Sequence, residues 1–196
     1  MKRKTKWAML EIAVVSFLTV STAFGFERVV LANDDDLAIR VDGWVDQALP
    51  KLLKVYRHLH ANPELSLEES KTSALIAKAL GKAGYSVETG IGGYGVIGIL
   101  RNGRGPTLLI RGDMDGLPVV EDTGLSFASV VRTKNAEGVE VGVMHACGHD
   151  VHMTNLLGTA QLLAAVADAW RGTLVILAQV GIQLRQSIKE VTSLSL

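Results

Sequence analysis

Apolar positions at helical spacing run from Leu37 to about His60, with Leu49, Leu52, Leu53, Val55 and Tyr56 among them. Pro50 lies inside this run and is expected to divide or kink it, because proline lacks the amide hydrogen of a helix interior. The segment ANPEL breaks the pattern. A second helix is predicted next. Ser66 followed by Glu69 spells a capping box, Leu75, Ile76, Ala79, Leu80 and Ala83 share one face, and Gly84 ends it. The period then shortens. YSVET, GVIGILR and TLLIRGD are short β-branched and aliphatic runs, split by Gly-rich or Asn102-Gly103 turns. TLLI is apolar at every position, which predicts a strand covered on both faces. Residues 121–138 are more polar and read as a loop, and VEVGVM reads as a strand. A helix is predicted over 149–167 from Val151, Leu156, Leu157, Ala160, Leu163 and Ala164, and GTLVILAQ (172–179) is a further buried strand. Helices alternating with apolar strands predict a layered α/β domain, with a largely parallel central sheet and flanking helices.

The start of the chain departs from this pattern. Lys2, Arg3, Lys4 and Lys6 precede an apolar stretch from Trp7 to Phe26, interrupted by Glu11, and Val30-Leu31-Ala32 offers a cleavage site. That is the layout of an export signal. Residues 1–32 are therefore expected to be a signal peptide, or alternatively a membrane anchor or a mis-assigned start on a cytoplasmic protein. The remaining chain is expected to comprise a catalytic-type domain over 33–179 and a divergent tail over 180–196. At 196 residues, 48% hydrophobic and 20% charged, the composition is that of an ordinary globular protein. Twenty basic residues balance twenty acidic ones, so nothing points to a nucleic-acid partner. A lone cysteine, Cys147, excludes an intrachain disulfide and leaves a buried filler, a free thiol or a ligand.

Two stretches carry candidate chemistry. RGDMDGLP (111–118) begins where an apolar strand ends, and ligands collect at the carboxyl ends of strands in open α/β sheets. In an extended segment Asp113 and Asp115 point one way and Met114 the other. Two adjacent carboxylates call for a cation or a proton, although Asp and Gly before a proline also suit a plain turn. Arg111-Gly112-Asp113 also spells a cell-adhesion tripeptide, a reading that requires it to be exposed. MHACGHDVH (144–152) holds three of the five histidines and the only cysteine. Cys147 and His149 flank Gly148, and thiolate and imidazole are ligands preferred by zinc and related metals. His149 and His152 are one helical turn apart, and Asp150 is placed to cap the helix or orient a ligand. A cysteine nucleophile paired with His145 or His149 is the competing enzyme reading. RHLHANPELSLEE (57–69), with His58, His60, Glu64, Glu68 and Glu69, reads as a helix end, a turn and a helix start without a catalytic role.

Taken in order, RHLHANPELSLEE, RGDMDGLP, GVMHACGHDVHMTNLLGTAQLL and GTLVILAQ resemble one family. It is the metal-dependent amidohydrolases that include hippurate hydrolases, N-acyl-amino-acid amidohydrolases and indole-acetyl-amino-acid hydrolases. The resemblance covers roughly residues 45–179. It implies a hydrolase that cleaves N-acyl-amino acids with two divalent ions, zinc or manganese. Cys147 and His149 match the first two metal ligands, with the cysteine bridging, and Asp115 matches the aspartate that steadies a catalytic glutamate. The implied partner is a small N-acyl-amino acid; a homodimer is implied for the complete family but not expected for this chain.

The chain also departs from that family. After LAQ the family continues Pro-Ala-Glu-Glu, supplying the general base and a further ligand, whereas this chain reads Val180-Gly181-Ile182-Gln183. No histidine follows His152, although the family takes two more from later in its chain. The loss of similarity after a strand suggests a frameshift, a truncated gene or a misassembled fragment. The resulting expectation is an inactive, poorly soluble chain.

Overall fold

The computed structural model describes residues 34–181, so the expected export segment 1–32 and the tail from Ile182 lie outside the described residues. The element order is α1 (Asp34–Ala61), α2 (Ser70–Lys82), β1 (Ser86–Ile91), β2 (Gly95–Asn102), β3 (Thr107–Asp113), β4 (Arg132–Lys134), β5 (Glu140–Gly142), α3 (His149–Ala165) and β6 (Gly172–Gln179). This is the layered α/β arrangement expected from the alternating periods. Helix α1 runs through Pro50 without a break. The expected polar loop over 121–138 contains β4, which pairs antiparallel with β5 as a separate two-stranded ribbon.

The main sheet has the order β1-β2-β6-β3 and is mixed. A short glycine-rich turn joins β1 to β2, which forces them antiparallel; β2 and β6 are also antiparallel, and β6 runs parallel to β3. The parallel pair is the one that matters for the site, because it brings Asp113 opposite Gln179 at the carboxyl ends of both strands.

Leu59, Ile76, Leu80, Met153, Leu156 and Leu157 pack against Val96, Leu174 and Ile176, so the helices share one core with one sheet face. Ile97, Ile99, Val175 and Leu177 form a smaller buried cluster from the alternate strand positions. Burial of this kind contributes roughly 25 cal/mol per Å² of apolar surface. Gly158 admits α1 against α3, since a Cβ there would lie 3.1 Å from Leu52 Cδ1.

Two local expectations are corrected. First, TLLI is not covered on both faces. Strand β3 is an edge of the described sheet, and Leu108 and Leu109 are 52% and 45% exposed. Apolarity at every position reports neighbours on both faces only when the strand is central; its place in the sheet depends on long-range pairing that periodicity does not encode. Second, Ser66 and Glu69 do not form a capping box. Leu67 adopts φ 67°, the helix starts only at Ser70, and Glu69 makes no side-chain cap. The carboxylate of Glu64 does this work instead, accepting from the amides of Lys71 (3.1 Å) and Thr72 (2.8 Å). Caps of this class are worth about 0.5–2 kcal/mol, and a negative charge here also suits the helix dipole.

Candidate metal centre

The carboxyl end of β3 continues directly into the site. The Met114 amide donates to the Gln179 carbonyl at 3.0 Å, and the chain then leaves the sheet. Gly116 donates to Glu64 O at 2.7 Å, while Leu117 and Met144 exchange two amide bonds of 2.8 and 3.0 Å. Any side chain at Gly116 would press on Pro63 Cβ and Val143 Cγ1, both 3.0 Å from a Cβ position. Asp115 is thereby fixed from both sides. Met114 is fully buried in the core, as the alternation predicts, and Asp115 is 8% exposed.

The second half of the site comes from the turn before α3. The Gly148 amide closes the turn onto His145 O at 3.1 Å, and Gly148 takes φ 76°, a conformation that favours glycine. The turn delivers His149 as the first residue of α3. Its Nδ1 lies 2.8 Å from Asp115 Oδ1 and 3.0 Å from Asp115 O. Both partners only accept, so the hydrogen sits on Nδ1 and Nε2 carries a free lone pair. A carboxylate that orients an imidazole in this way is the usual support of a metal-bound histidine.

The expected site residues are placed as follows. Asp115 and His149 are in contact. Asp113, His149 and His152 each bring a donor atom within 4.8 Å of the other two, which is the donor group found among the described residues. Cys147 is exposed and stands outside that group, which removes the buried-filler reading. The N-cap of α3 is Gly148, without a side-chain bond, and Asp150 serves the helix start from inside the first turn, its Oδ1 accepting from the Val151 amide at 2.8 Å. In the adhesion tripeptide, Gly112 is buried and Arg111 donates to both Asp113 oxygens at 2.9 and 2.7 Å. That arrangement does not present the tripeptide as an exposed ligand.

The residues fit a divalent ion in chemistry as well as position. The donors are two imidazoles and a carboxylate, a set that suits zinc and manganese alike.

Sequence reasoning missed His60. It is 6% exposed, and its Nδ1 and Nε2 lie 2.7 Å from Asp150 Oδ2 and 2.9 Å from Glu121 Oε1. Burial alone would lower its pKa, but the bonds to Asp150 and Glu121 outweigh burial and raise it. The imidazolium ties the end of α1 to the first turn of α3 and to the loop after β3. Nothing in the local sequence signals this, because the partners are 90 and 61 residues away. His145 behaves oppositely. Its Nδ1 donates to Asp115 O at 3.2 Å, its Nε2 is buried without a partner, and burial lowers its pKa.

Glu69 is a second residue with no local signal. It is fully buried, Oε1 accepts from the Gly181 amide at 3.3 Å, and Oε2 has no partner. Burial, and secondarily the charge of Asp115, push its pKa up against the amides that lower it. A carboxyl with a raised folded pKa stabilises the fold below its ordinary value and loses that contribution as pH rises through the raised one. Glu69→Gln is therefore expected to raise the melting temperature at pH 7 by at least about 2 °C and to leave it unchanged at pH 4. Thermal unfolding followed by circular dichroism checks both.

Comparison with known proteins gives matches over the same region. The profile of Peptidase family M20/M25/M40 matches residues 109–181. Thermostable carboxypeptidase 1 of Saccharolobus solfataricus is 40% identical over 146 residues, 74% of this chain and 35% of that protein. N-acetyl-L-cysteine deacetylase of Bacillus subtilis is 40% identical over 130 residues, 66% of this chain and 29% of that protein. Among solved structures, the Bacillus subtilis YXEP protein, described as a dinuclear metal binding peptidase from the M20 family, superposes with a TM-score of 0.64. It is 32% identical, covering 73% of this chain and 39% of its own. The chain spans about a third of the length of the curated relatives it matches.

Proposed function

This chain belongs to Peptidase family M20/M25/M40, and from that membership we propose that it derives from a metal-dependent hydrolase of N-acyl-amino acids, hippurate-like in form. The observation that carries the proposal is the Asp115–His149 contact at the carboxyl end of β3, which leaves His149 Nε2 free to bind an ion. Support for the chemistry comes from the amidohydrolase and deacetylase relatives and from the dinuclear metal binding of the YXEP protein. In this reading His149 is a ligand and Asp115 holds its ring in the ligating tautomer. Cys147 joins from the exposed turn in front of α3, as the resemblance implies. Zinc or manganese ions bound there would polarise the scissile carbonyl and make water nucleophilic at neutral pH.

Proton transfer is where this chain departs from a working hydrolase. The resemblance puts a general base and a further ligand at two glutamates, and this chain has Ile182 and Gln183 there. Neither side chain can take a proton from water at neutral pH. Loss of a general base costs about 10²–10⁴ in rate. We therefore propose that the chain binds metal but turns substrate over at least that much more slowly than a relative carrying both glutamates. The assay is release of glycine from hippurate by purified 1–196 loaded with zinc or manganese. No release above the metal-only blank is expected; robust metal-dependent release would overturn the loss of catalysis. Export through residues 1–32 is part of the same proposal, and detection of the chain in a periplasmic or secreted fraction tests it.

A further inference from the structure

We infer that the tail, residues 182–196, folds back as a short amphipathic helix over the second face of the main sheet. The inference is independent of the metal-binding reading. The helices α1, α2 and α3 pack on the face formed by Val96, Leu174 and Ile176. The alternate positions of β2 and β6 point to the other side. There Ile97, Val175 and Leu177 are 0%, 0% and 1% exposed, and Ile99 is 7% exposed. Among the described residues, Ile91 is the apolar side chain packed against them. Ile91 alone does not keep four side chains from water, so a further segment of the chain lies over this face.

The tail is the segment placed to do so. The compact unit that holds this face runs over Asn33–Leu196, which includes the tail and leaves out residues 1–32. Strand β6 lies between β2 and β3, and the tail begins just past its last residue, Gln179. A segment returning antiparallel to β6 therefore passes over the four side chains. Its pattern is helical. Leu184, Ile188 and Val191 recur at i, i+4 and i+7, while Gln186, Lys189 and Ser193 fall on the opposite side. The size also matches. Two alternate positions on each of two neighbouring strands cover about 7 Å by about 5 Å. Residues 184–194 in helical form are about 16 Å long, so three turns are enough to cover the cluster.

Urea unfolding of the full chain, followed by circular dichroism, tests the placement. Ile188→Asp and Val191→Asp should each lower the midpoint by about 1 M, while Gln186→Asp and Ser193→Asp leave it unchanged. Ile188→Ala and Val175→Ala should each lower it too. Combined, they should lower it by less than the sum, because the two side chains share one contact. Additive losses would place Ile188 away from this face and overturn the inference. Aspartate substitutions that act alike on both sides of the tail, or not at all, would also overturn it. A loss confined to Phe17→Asp would assign the cover to residues 1–32 and likewise overturn it.

Discussion

Replacing His60 with alanine should destabilise the protein by about 3–5 kcal/mol, the usual consequence of stripping one partner from a buried ionic cluster. Typical domains are stable by only about 5–15 kcal/mol, so the variant should show a large drop in urea midpoint. The cause is the pair of carboxylates left behind. Asp150 is 2% exposed and the Glu121 side chain is fully buried, and without the imidazolium they face each other uncompensated. The pH dependence identifies the mechanism. His60 has a raised folded pKa, so its contribution is fully present below about pH 6.5 and is lost as pH rises through the raised value. Glu121 has a lowered folded pKa: burial opposes this, but bonds from Thr123, Ser129 and His60 outweigh it. Its contribution is present above the ordinary carboxylate value and is lost as pH falls through the lowered one. The cluster thus contributes most between those limits. His145, kept neutral by burial, adds a contribution of opposite sign to His60 that is lost on acidification. Urea titrations of wild type and variant should therefore diverge least above the raised His60 pKa. A constant difference from pH 5 to 9 would contradict a charged His60.

Asp115→Asn should lower the affinity for zinc or cobalt by about 10–100-fold while leaving the fold intact. The carboxylate accepts from His149 Nδ1 at 2.8 Å and thereby keeps the lone pair on Nε2. An amide in its place is able to donate to Nδ1, which moves the hydrogen to the nitrogen that must bind metal. Asp115→Asn also removes a charge beside Glu69, one of the causes that raise its pKa. A slight gain in thermal stability with a loss of metal affinity is the expected combination. Unchanged affinity would mean that Asp115 does not orient a ligand.

What was legible in the sequence follows the range of the interactions involved. The buried face of α2 through Ile76 and Leu80 and the buried strands β2 and β6 were read from local periodicity, and all are buried. The helix start at His149 and the turn at Gly148 were visible for the same reason. Leu108 and Leu109 misled because sheet order is decided by pairing with β6, some 65 residues later. Ser66 and Glu69 matched a capping pattern, yet the backbone turns through Leu67 and hands the cap to Glu64. Within the site, the chemical types were legible and their arrangement was not. The contact of Asp115 with His149 depends on strand β3 and the turn before α3 meeting across 34 residues, which spacing within either motif does not encode. His60 was invisible for a plainer reason: an isolated histidine at a helix end gives no sign of two carboxylates folded onto it from elsewhere.

The central claim is that His149, oriented by Asp115, is a metal ligand. Calorimetric titration of zinc into wild-type 1–196 and into His149→Ala tests it most directly. The account predicts saturable binding in the wild type and its loss in the variant, with matching circular dichroism for the two proteins. Equal binding by both proteins would contradict it.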